Sequence, residues 1–207
     1  MTYPDRAAAG RALAARLEQL RATRPLVLGL PRGGVPVAAA VHEGIGGDLD
    51  ILLVRKIGVP DQPELAMGAI GEDDVRVFNA DVLRQTGVSE HDFAEVEARE
   101  RIELLRRRAA LRGERAPIAL GGRHVVIVDD GMATGATVVV ACRVARLHRP
   151  AQIVVAVPVS STEAMRRVTD EADAVVCPLV PETLGGVGAA FRDFHQLADD
   201  EVTALLR

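Results

Sequence analysis

Two adjacent carboxylates, Asp129 and Asp130, stand between four apolar residues and seven mostly small ones in Val125-Val-Ile-Val-Asp-Asp-Gly-Met-Ala-Thr-Gly-Ala-Thr137. An acidic pair accepts hydrogen bonds from a vicinal diol or holds a hard cation. Beyond it, Gly131, Ala133, Thr134, Gly135, Ala136 and Thr137 keep their side chains short, so backbone N–H groups can close on an anion. A helix starting there adds the positive end of its dipole. A ligand that satisfies both halves carries a diol and a phosphate, as a phosphorylated sugar does. Pro31-Arg32-Gly33-Gly34 repeats the glycine-loop theme after another apolar run. There the backbone can pack against an anion while a guanidinium clamps it. Taken alone, that loop also fits an ordinary strand-to-helix turn with a surface arginine. A third charged point is Arg55-Lys56. Lys56 is the only lysine among 25 basic residues. It is either a site that needs a compact ammonium or a chance survivor.

The elements that must position these groups read as alternating strands and helices. Asp5 caps a helix expected to run to about Ala22, with Leu13, Leu17 and Leu20 at helical spacing. Pro25–Leu30 reads as a buried strand, Val35–His42 as a helix, and Leu49–Val54 as a strand ending at Arg55-Lys56. Ile57–Pro63, with Gly58, Pro60, Asp61 and Pro63, reads as an exposed loop or lid. Leu65–Ile70 and Val75–Phe78 form a hairpin around Gly71-Glu-Asp-Asp74. Ser89-Glu-His-Asp92 starts a long surface helix that ends before Gly113, with Glu97–Arg101 and Glu103–Arg107 in the favourable i,i+4 order. Its Arg106-Arg107-Arg108 run reads as a solvated face rather than a nucleic-acid surface. After the strand at Val125 and its helix to about His148 come a strand at Ala151–Val157, a helix from Ser160-Ser161-Thr162, a strand at Ala174–Cys177, and a Gly-rich tail with a last helix after Asp199. This pattern predicts an α/β fold with a mainly parallel central sheet flanked by helices. Right-handed crossovers put the strand ends on one edge, so Arg32, Lys56, Asp129 and Asp130 are expected to converge.

Composition bounds the rest. At 207 residues and 48% hydrophobic, the chain supports one core, and no apolar run approaches a membrane span. Met1-Thr-Tyr-Pro-Asp-Arg6 lacks the basic start and apolar stretch of a secretory leader. Cys142 and Cys177 lie in apolar segments, as buried reduced thiols of a cytoplasmic protein do. A net charge of −4 argues against nucleic acid.

Val125–Thr137 resembles the phosphoribosyl pyrophosphate (PRPP) signature of type I phosphoribosyltransferases. The resemblance extends through Leu30-Pro-Arg-Gly-Gly34, Arg55-Lys56-Ile-Gly58, Glu64-Leu-Ala-Met-Gly68 and Phe191-Arg-Asp-Phe-His-Gln196. Together these are similar to the members whose acceptor is unassigned. The resemblance implies one domain over 1–207, with a core at about 25–178. It adds a mobile loop or hairpin with an inserted long helix at about 57–113, and a C-terminal hood at about 179–207 that the N-terminal segment joins. It gives Asp129 and Asp130 the ribose hydroxyls, directly or through Mg²⁺ and its waters. Ala133, Thr134, Gly135, Ala136 and Thr137 receive the 5-phosphate. Pro31, Arg32, Gly33, Gly34 and Lys56 receive pyrophosphate, with a non-proline cis peptide expected between Pro31 and Arg32. Asp129, Asp130, Arg32 and Lys56 form the implied catalytic set, and Phe191 or Phe194 either stacks on a base or simply packs. The implied partners are PRPP, a small-molecule acceptor and a second copy of the chain as a homodimer.

Departures fall on the acceptor side. Ala174-Val-Val-Cys-Pro178 lacks the lysine that 6-oxopurine enzymes keep there, and no uracil-recognition segment is visible. Ile57–Gly68 offers only Asp61, Gln62 and Glu64 where orotate enzymes carry Lys and His. Two functions therefore stand: a Mg²⁺-dependent transferase, favoured here, and a PRPP-sensing regulator. Known regulators of that kind carry an added DNA-binding domain or a basic face; no helix-turn-helix precedes residue 25. An ATP-binding protein is disfavoured by the missing G-x-x-x-x-G-K-[ST].

Overall fold

The structure is a computed structural model that describes residues 2–72 and 74–206, with Glu64 described by its backbone alone. Five strands, β1 (Leu26–Gly29), β2 (Asp48–Ile51), β6 (His124–Val128), β7 (Gln152–Ala156) and β8 (Ala174–Val176), form a parallel sheet in the order β2-β1-β6-β7-β8. Its strands are apolar on both faces because helices cover both. On β6, Val125 and Ile127 join one core with Leu26 and Leu28 of β1 and Ile153 and Val155 of β7. Val126 and Val128 join the opposite core with Val27, Val154 and Ala156. The first core is covered by α5 (Ala136–Leu147) and α6 (Thr162–Thr169), the second by α1 (Arg6–Ala14) and α2 (Gly34–Ile45).

A second sheet is antiparallel: β3 (Val54–Val59), β4 (Gln62–Gly71) and β5 (Arg76–Phe78), in that order. It is followed by α3 (Ala80–Thr86) and the 22-residue α4 (Glu90–Leu111). Ile57, Met67 and Ile70 of this sheet share a core with Val96 and Leu104 of α4 and Val202 of the last helix, α7 (Asp199–Ala204). Ser89 and Ser161 accept hydrogen bonds from the third helical residue of α4 and α6, and Asp5 does the same for α1. These are the caps the sequence indicates.

Three expectations are corrected. The first helix ends at Ala14, and Glu18–Thr23 is a 3-10 helix, so Leu17 and Leu20 are buried from a different turn geometry. Leu49–Val54 is not one strand: β2 stops at Ile51, and Val54 opens the other sheet. Arg55 and Lys56 therefore sit inside β3 rather than at the carboxyl end of a core strand. The switch is fixed by Arg112, which donates to both Asp50 carboxylate oxygens at 2.7 and 2.8 Å, to the Ile51 carbonyl at 2.8 Å, and to Glu72 at 2.9 and 3.0 Å. Ile57–Pro63 is not an exposed loop but the hairpin of β3 and β4, with a register shift at Gly58. A Cβ on Gly58 would lie 2.4 Å from the Pro63 carbonyl, so glycine is there to let two strands close up. The β4–β5 hairpin is present, with Gly68 opposite Phe78. Asp73 in its turn lies outside the described residues. Among the described residues no helix is long and apolar enough to cross a membrane.

Candidate active site

The β6–α5 element and the loop after β1 meet at the acidic pair. Leu30 donates to the Val128 carbonyl at 2.9 Å, extending the β1–β6 pairing up to the loop. The Pro31–Arg32 peptide is cis, and the chain then crosses directly beneath the carboxylates. A Cβ on Gly33 would lie 2.0 Å from Asp130 Oδ2, and one on Gly34 would lie 2.4 Å from the Val128 carbonyl and 2.9 Å from Asp129 Cα. The two glycines are thus required by the acids above them, which only the folded chain reveals.

Asp129 Oδ1 accepts the Asp130 N–H at 2.9 Å. Burial pushes the Asp129 carboxyl well above the ordinary carboxylate range, the charge of Asp130 pushes it further, and the Asp130 N–H and Arg6 act against both. Burial also raises Asp130, opposed by the hydrogen bond and charge of Arg6. Arg6 Nε donates to Asp130 Oδ2 at 2.9 Å, and its Nη1 donates to the His195 carbonyl at 3.0 Å. Its guanidinium lies 4.0 Å from the Phe194 ring centroid. Sequence reading missed Arg6, although a signal exists. It is the first residue of α1, where a cation opposes the helix dipole and needs another reason to be there.

The small-residue loop is held from below. Met132 donates to the Val159 carbonyl at 2.9 Å and accepts from Ser161 N–H at 2.9 Å, while Ser161 Oγ donates to the Ala133 carbonyl at 2.7 Å. Gly135 takes a φ of +73° at the start of α5, with Ala164 of α6 only 3.2 Å from where a Cβ would be. Both constraints exclude a side chain. Ala133, Thr134 and Thr137 are exposed, Ala136 is half-buried and Gly135 is buried. Thr134 Oγ1 accepts the Ala136 N–H at 3.4 Å, and Arg167 of α6 donates to the Thr134 carbonyl at 3.4 Å. Arg167 is a second residue the sequence did not single out, because an arginine in the last turn of a helix reads as an ordinary dipole partner.

Arg32 does not face the acids. Its Nε pairs with Asp199 Oδ1 at 2.8 Å and its Nη1 donates to the Leu197 carbonyl at 3.1 Å, so the C-terminal segment holds the guanidinium. Lys56 reaches the neighbourhood from β3: it lines a cavity of about 550 Å³ together with Pro31 and Thr137. Phe191 is buried, 5.8 Å from the Tyr3 ring and stacked 5.0 Å from Phe194. Phe194 is half-exposed beneath Arg6. The N-terminal and C-terminal segments are joined here by the Tyr3 N–H to the Ala190 carbonyl at 2.8 Å and the Arg192 N–H to the Tyr3 carbonyl at 2.9 Å. Among the described residues no three His, Cys, Asp or Glu side chains cluster as metal ligands.

The phosphoribosyl transferase domain family matches residues 3–191. The protein provisionally named phosphoribosyl transferase Rv0571c in Mycobacterium tuberculosis is 51% identical over 204 residues, covering 99% of this chain and 46% of that protein. The chain thus spans about half the length of the curated relatives it matches. The crystal structure of TT1426 from Thermus thermophilus superposes with a TM-score of 0.93 at 43% identity, over 100% of this chain and 98% of that one. A hypoxanthine-guanine phosphoribosyltransferase from Bacillus anthracis has a TM-score of 0.51 at 15% identity, over 86% of this chain and 80% of its own, a likeness of fold alone. On the family match and on the strands, loops and acids that the match spans, the chain belongs to the phosphoribosyl transferase domain family.

Proposed function

We propose that the chain transfers the 5-phosphoribosyl group of PRPP to a nitrogenous acceptor and releases pyrophosphate. The observation that carries this is the contact of two anion loops across one acidic pair, with Gly33 pressed against Asp130 and Asp129 leading into Ala133–Thr137. In this reading Asp129 and Asp130 hold the ribose hydroxyls. The backbone of residues 133–137, with the Thr134 and Thr137 hydroxyls, holds the 5-phosphate, and Arg167 braces that loop. Pro31–Gly34 and Lys56 receive pyrophosphate, and Arg32 joins them once it leaves Asp199. The C1–oxygen bond breaks with its electron pair going to pyrophosphate, and an acceptor nitrogen lone pair forms the new bond, its proton passing to solvent. Positive charge develops on the ribose beside the carboxylates, and negative charge develops beside the loop donors. The donor set fits a Mg²⁺ carried by the substrate: two carboxylates, with no third ligand among the described residues, suit an ion that keeps its waters and rides on phosphates. When bound, Mg²⁺ neutralises the leaving group. Phe191 is consumed by packing on Tyr3, and Phe194 is stacked on Phe191 with the Arg6 guanidinium over its ring, so in this reading a base meets Phe194 only after Arg6 moves. The working form we propose is a cytoplasmic homodimer.

A second reading, a PRPP sensor, is favoured by one observation: the two arginines Arg6 and Arg32 tie the site to the terminal segments through Asp130 and Asp199. Donor binding that displaces either pair moves those segments, which is what a sensor needs. The two are separated by incubating the protein with PRPP, Mg²⁺ and a panel of bases while following pyrophosphate. Turnover that Asp130→Asn abolishes supports the transferase. Tight PRPP binding without turnover supports the sensor, and no PRPP binding at millimolar levels removes both.

A further inference from the structure

Consecutive carbonyls of the small-residue loop are held by α6 and its cap. The Met132 carbonyl accepts the Ser161 N–H at 2.9 Å, the Ala133 carbonyl accepts the Ser161 hydroxyl at 2.7 Å, and the Thr134 carbonyl accepts Arg167 Nη1 at 3.4 Å. Ser161, Ala164 and Arg167 follow one another at i,i+3 spacing, so one side of the helix start makes these contacts. Between the two donors, Ala164 closes on Gly135, 3.2 Å from where a Cβ would be. A trans peptide points its C=O and its N–H in opposite directions. The cis bond among the described residues is Pro31–Arg32, so the peptides of this loop are trans. Fixing the Met132, Ala133 and Thr134 carbonyls on α6 therefore turns the N–H groups of Ala133, Thr134 and Gly135 away from it. Among the described residues, none of those N–H groups has a protein acceptor.

Ser161 holds the first two of these carbonyls. Its hydroxyl bond at 2.7 Å is a full hydrogen bond, whereas the 3.4 Å contact of Arg167 is at the weak end, and Arg167 is also engaged by Glu163. Capping α6 does not account for the hydroxyl bond. A cap uses Oγ as an acceptor, here for the Ala164 N–H at 3.0 Å. Aspartate caps as well and glycine nearly so. A hydroxyl accepts that N–H and donates its own proton to Ala133 at the same time, which neither an ionised aspartate nor glycine can do.

We infer that Ser161 is a positioning residue for the 5-phosphate: its hydroxyl sets the Ala133–Thr134 peptide so that the Thr134 N–H faces the anion. The inference rests on the transferase reading's assignment of residues 133–137 to that phosphate. Ser161 acts through the loop and not on the ligand. A peptide free to turn over would present the Ala133 carbonyl oxygen to the phosphate, an acceptor where a donor is needed. With the hydroxyl in place the donor is preset, and binding does not have to reorder the loop.

The test is isothermal titration of wild type, Ser161→Gly and Ser161→Thr with ribose 5-phosphate, which carries the one phosphate this loop takes. Glycine removes the hydroxyl at little cost to the cap, so Tm should fall by no more than about 3 °C. Ser161→Gly is expected to weaken ribose 5-phosphate by about tenfold. Ser161→Thr keeps the hydroxyl and should stay within about threefold of wild type. In ¹H–¹⁵N spectra the Thr134 amide proton should move downfield as ribose 5-phosphate binds to wild type, and much less in Ser161→Gly, a signature that capping alone does not produce. The inference is overturned by a wild type that does not bind ribose 5-phosphate at millimolar levels, a glycine variant that binds as wild type does, a threonine variant as weak as glycine, or a Thr134 amide that does not respond in wild type. Turnover of PRPP with an unaffected glycine variant would remove this role and leave the transferase. The expected ribose 5-phosphate results without any binding of PRPP would remove the transferase and leave this role standing.

Discussion

Arg6 Nε lies 2.9 Å from Asp130 Oδ2, joining the first residue of α1 to the acid after β6 across 124 positions of chain. Both side chains are nearly buried, at 10% and 15% exposure. The same guanidinium also holds the His195 carbonyl and covers Phe194, so one side chain ties both termini to the site. Removing one partner of a buried pair leaves the other charge unpaired. Arg6→Ala is expected to destabilise the fold by about 2–3 kcal/mol, somewhat less than for a fully buried pair. For a chain of this size that lowers Tm by roughly 5–10 °C. Asp130→Asn removes the same pair, so the double variant should lose much less than the sum of the singles. A double-mutant cycle by chemical denaturation reads that coupling, and strict additivity would show the pair to be energetically idle.

Asp129 provides a pH prediction. Burial raises its folded pKa above the unfolded value, so the folded state binds the proton more tightly. Stability from this group is therefore greatest while the acid is protonated and falls as pH rises from the unfolded pKa to the folded one. Above that window an ionised, desolvated carboxylate remains. Asp129→Asn removes that penalty, so its Tm should exceed wild type more at pH 8 than at pH 4, although donor binding is lost. An equal Tm difference at both pH values would mean that Asp129 titrates as an ordinary acid.

Gly33→Ala separates steric from chemical roles. The added Cβ meets Asp130 Oδ2 at 2.0 Å, the end of a side chain that can swing away, so the fold tolerates it while the acid is displaced. PRPP affinity should drop by about a hundredfold, and Tm should fall by roughly 5–10 °C, as in Arg6→Ala, because the displaced carboxylate leaves Arg6. Gly34→Ala meets the Val128 carbonyl and Asp129 Cα, backbone that cannot yield, and should lower Tm much more. If both substitutions lower Tm equally, the loop above Gly33 is more rigid than the acid's contacts imply.

Lys56→Arg tests the single ammonium. Lys56 pairs with Ala69 in the β3–β4 register and faces the cavity beside Pro31. A guanidinium is bulkier, planar and differently hydrated, so turnover or PRPP affinity should fall by about tenfold. Near-normal behaviour would make the sole lysine an accident of composition.

How far the sequence carries can be judged from particular residues. Val125–Thr137 is legible because strand, acid pair and small-residue loop are contiguous, and each follows from local rules. The caps at Asp5, Ser89 and Ser161 are legible for the same reason. The sheet switch between Ile51 and Val54 is not, because an unbroken apolar run hides it and its cause, Arg112 on Asp50 and Glu72, is distant in sequence. Gly58, Pro60 and Pro63 suggest a loop by composition, while strand closure at a bulge sets their conformation. The positions of Arg6, Arg32 and Arg167 depend on contacts with the acid pair, the C-terminal segment and the small-residue loop respectively, which no local pattern encodes.

Arg32 and Asp199 give the last prediction. Their Nε–Oδ1 distance is 2.8 Å, and each side chain is 36% exposed. An ion pair so open to solvent contributes about 0–1 kcal/mol. Asp199→Ala should therefore leave Tm within about 3 °C of wild type. It also frees a guanidinium that otherwise must leave Asp199 before it can meet an anion at its own loop. If Arg32 makes that exchange, PRPP affinity should rise by about two- to fivefold, the same energy expressed in binding. The gain should vanish in Arg32→Gln/Asp199→Ala, because the residue that profits is gone. Unchanged affinity in Asp199→Ala would mean that Arg32 stays with the C-terminal segment throughout. The cis loop would then hold its anion by backbone alone, and the guanidinium would serve only to fasten α7 over the site.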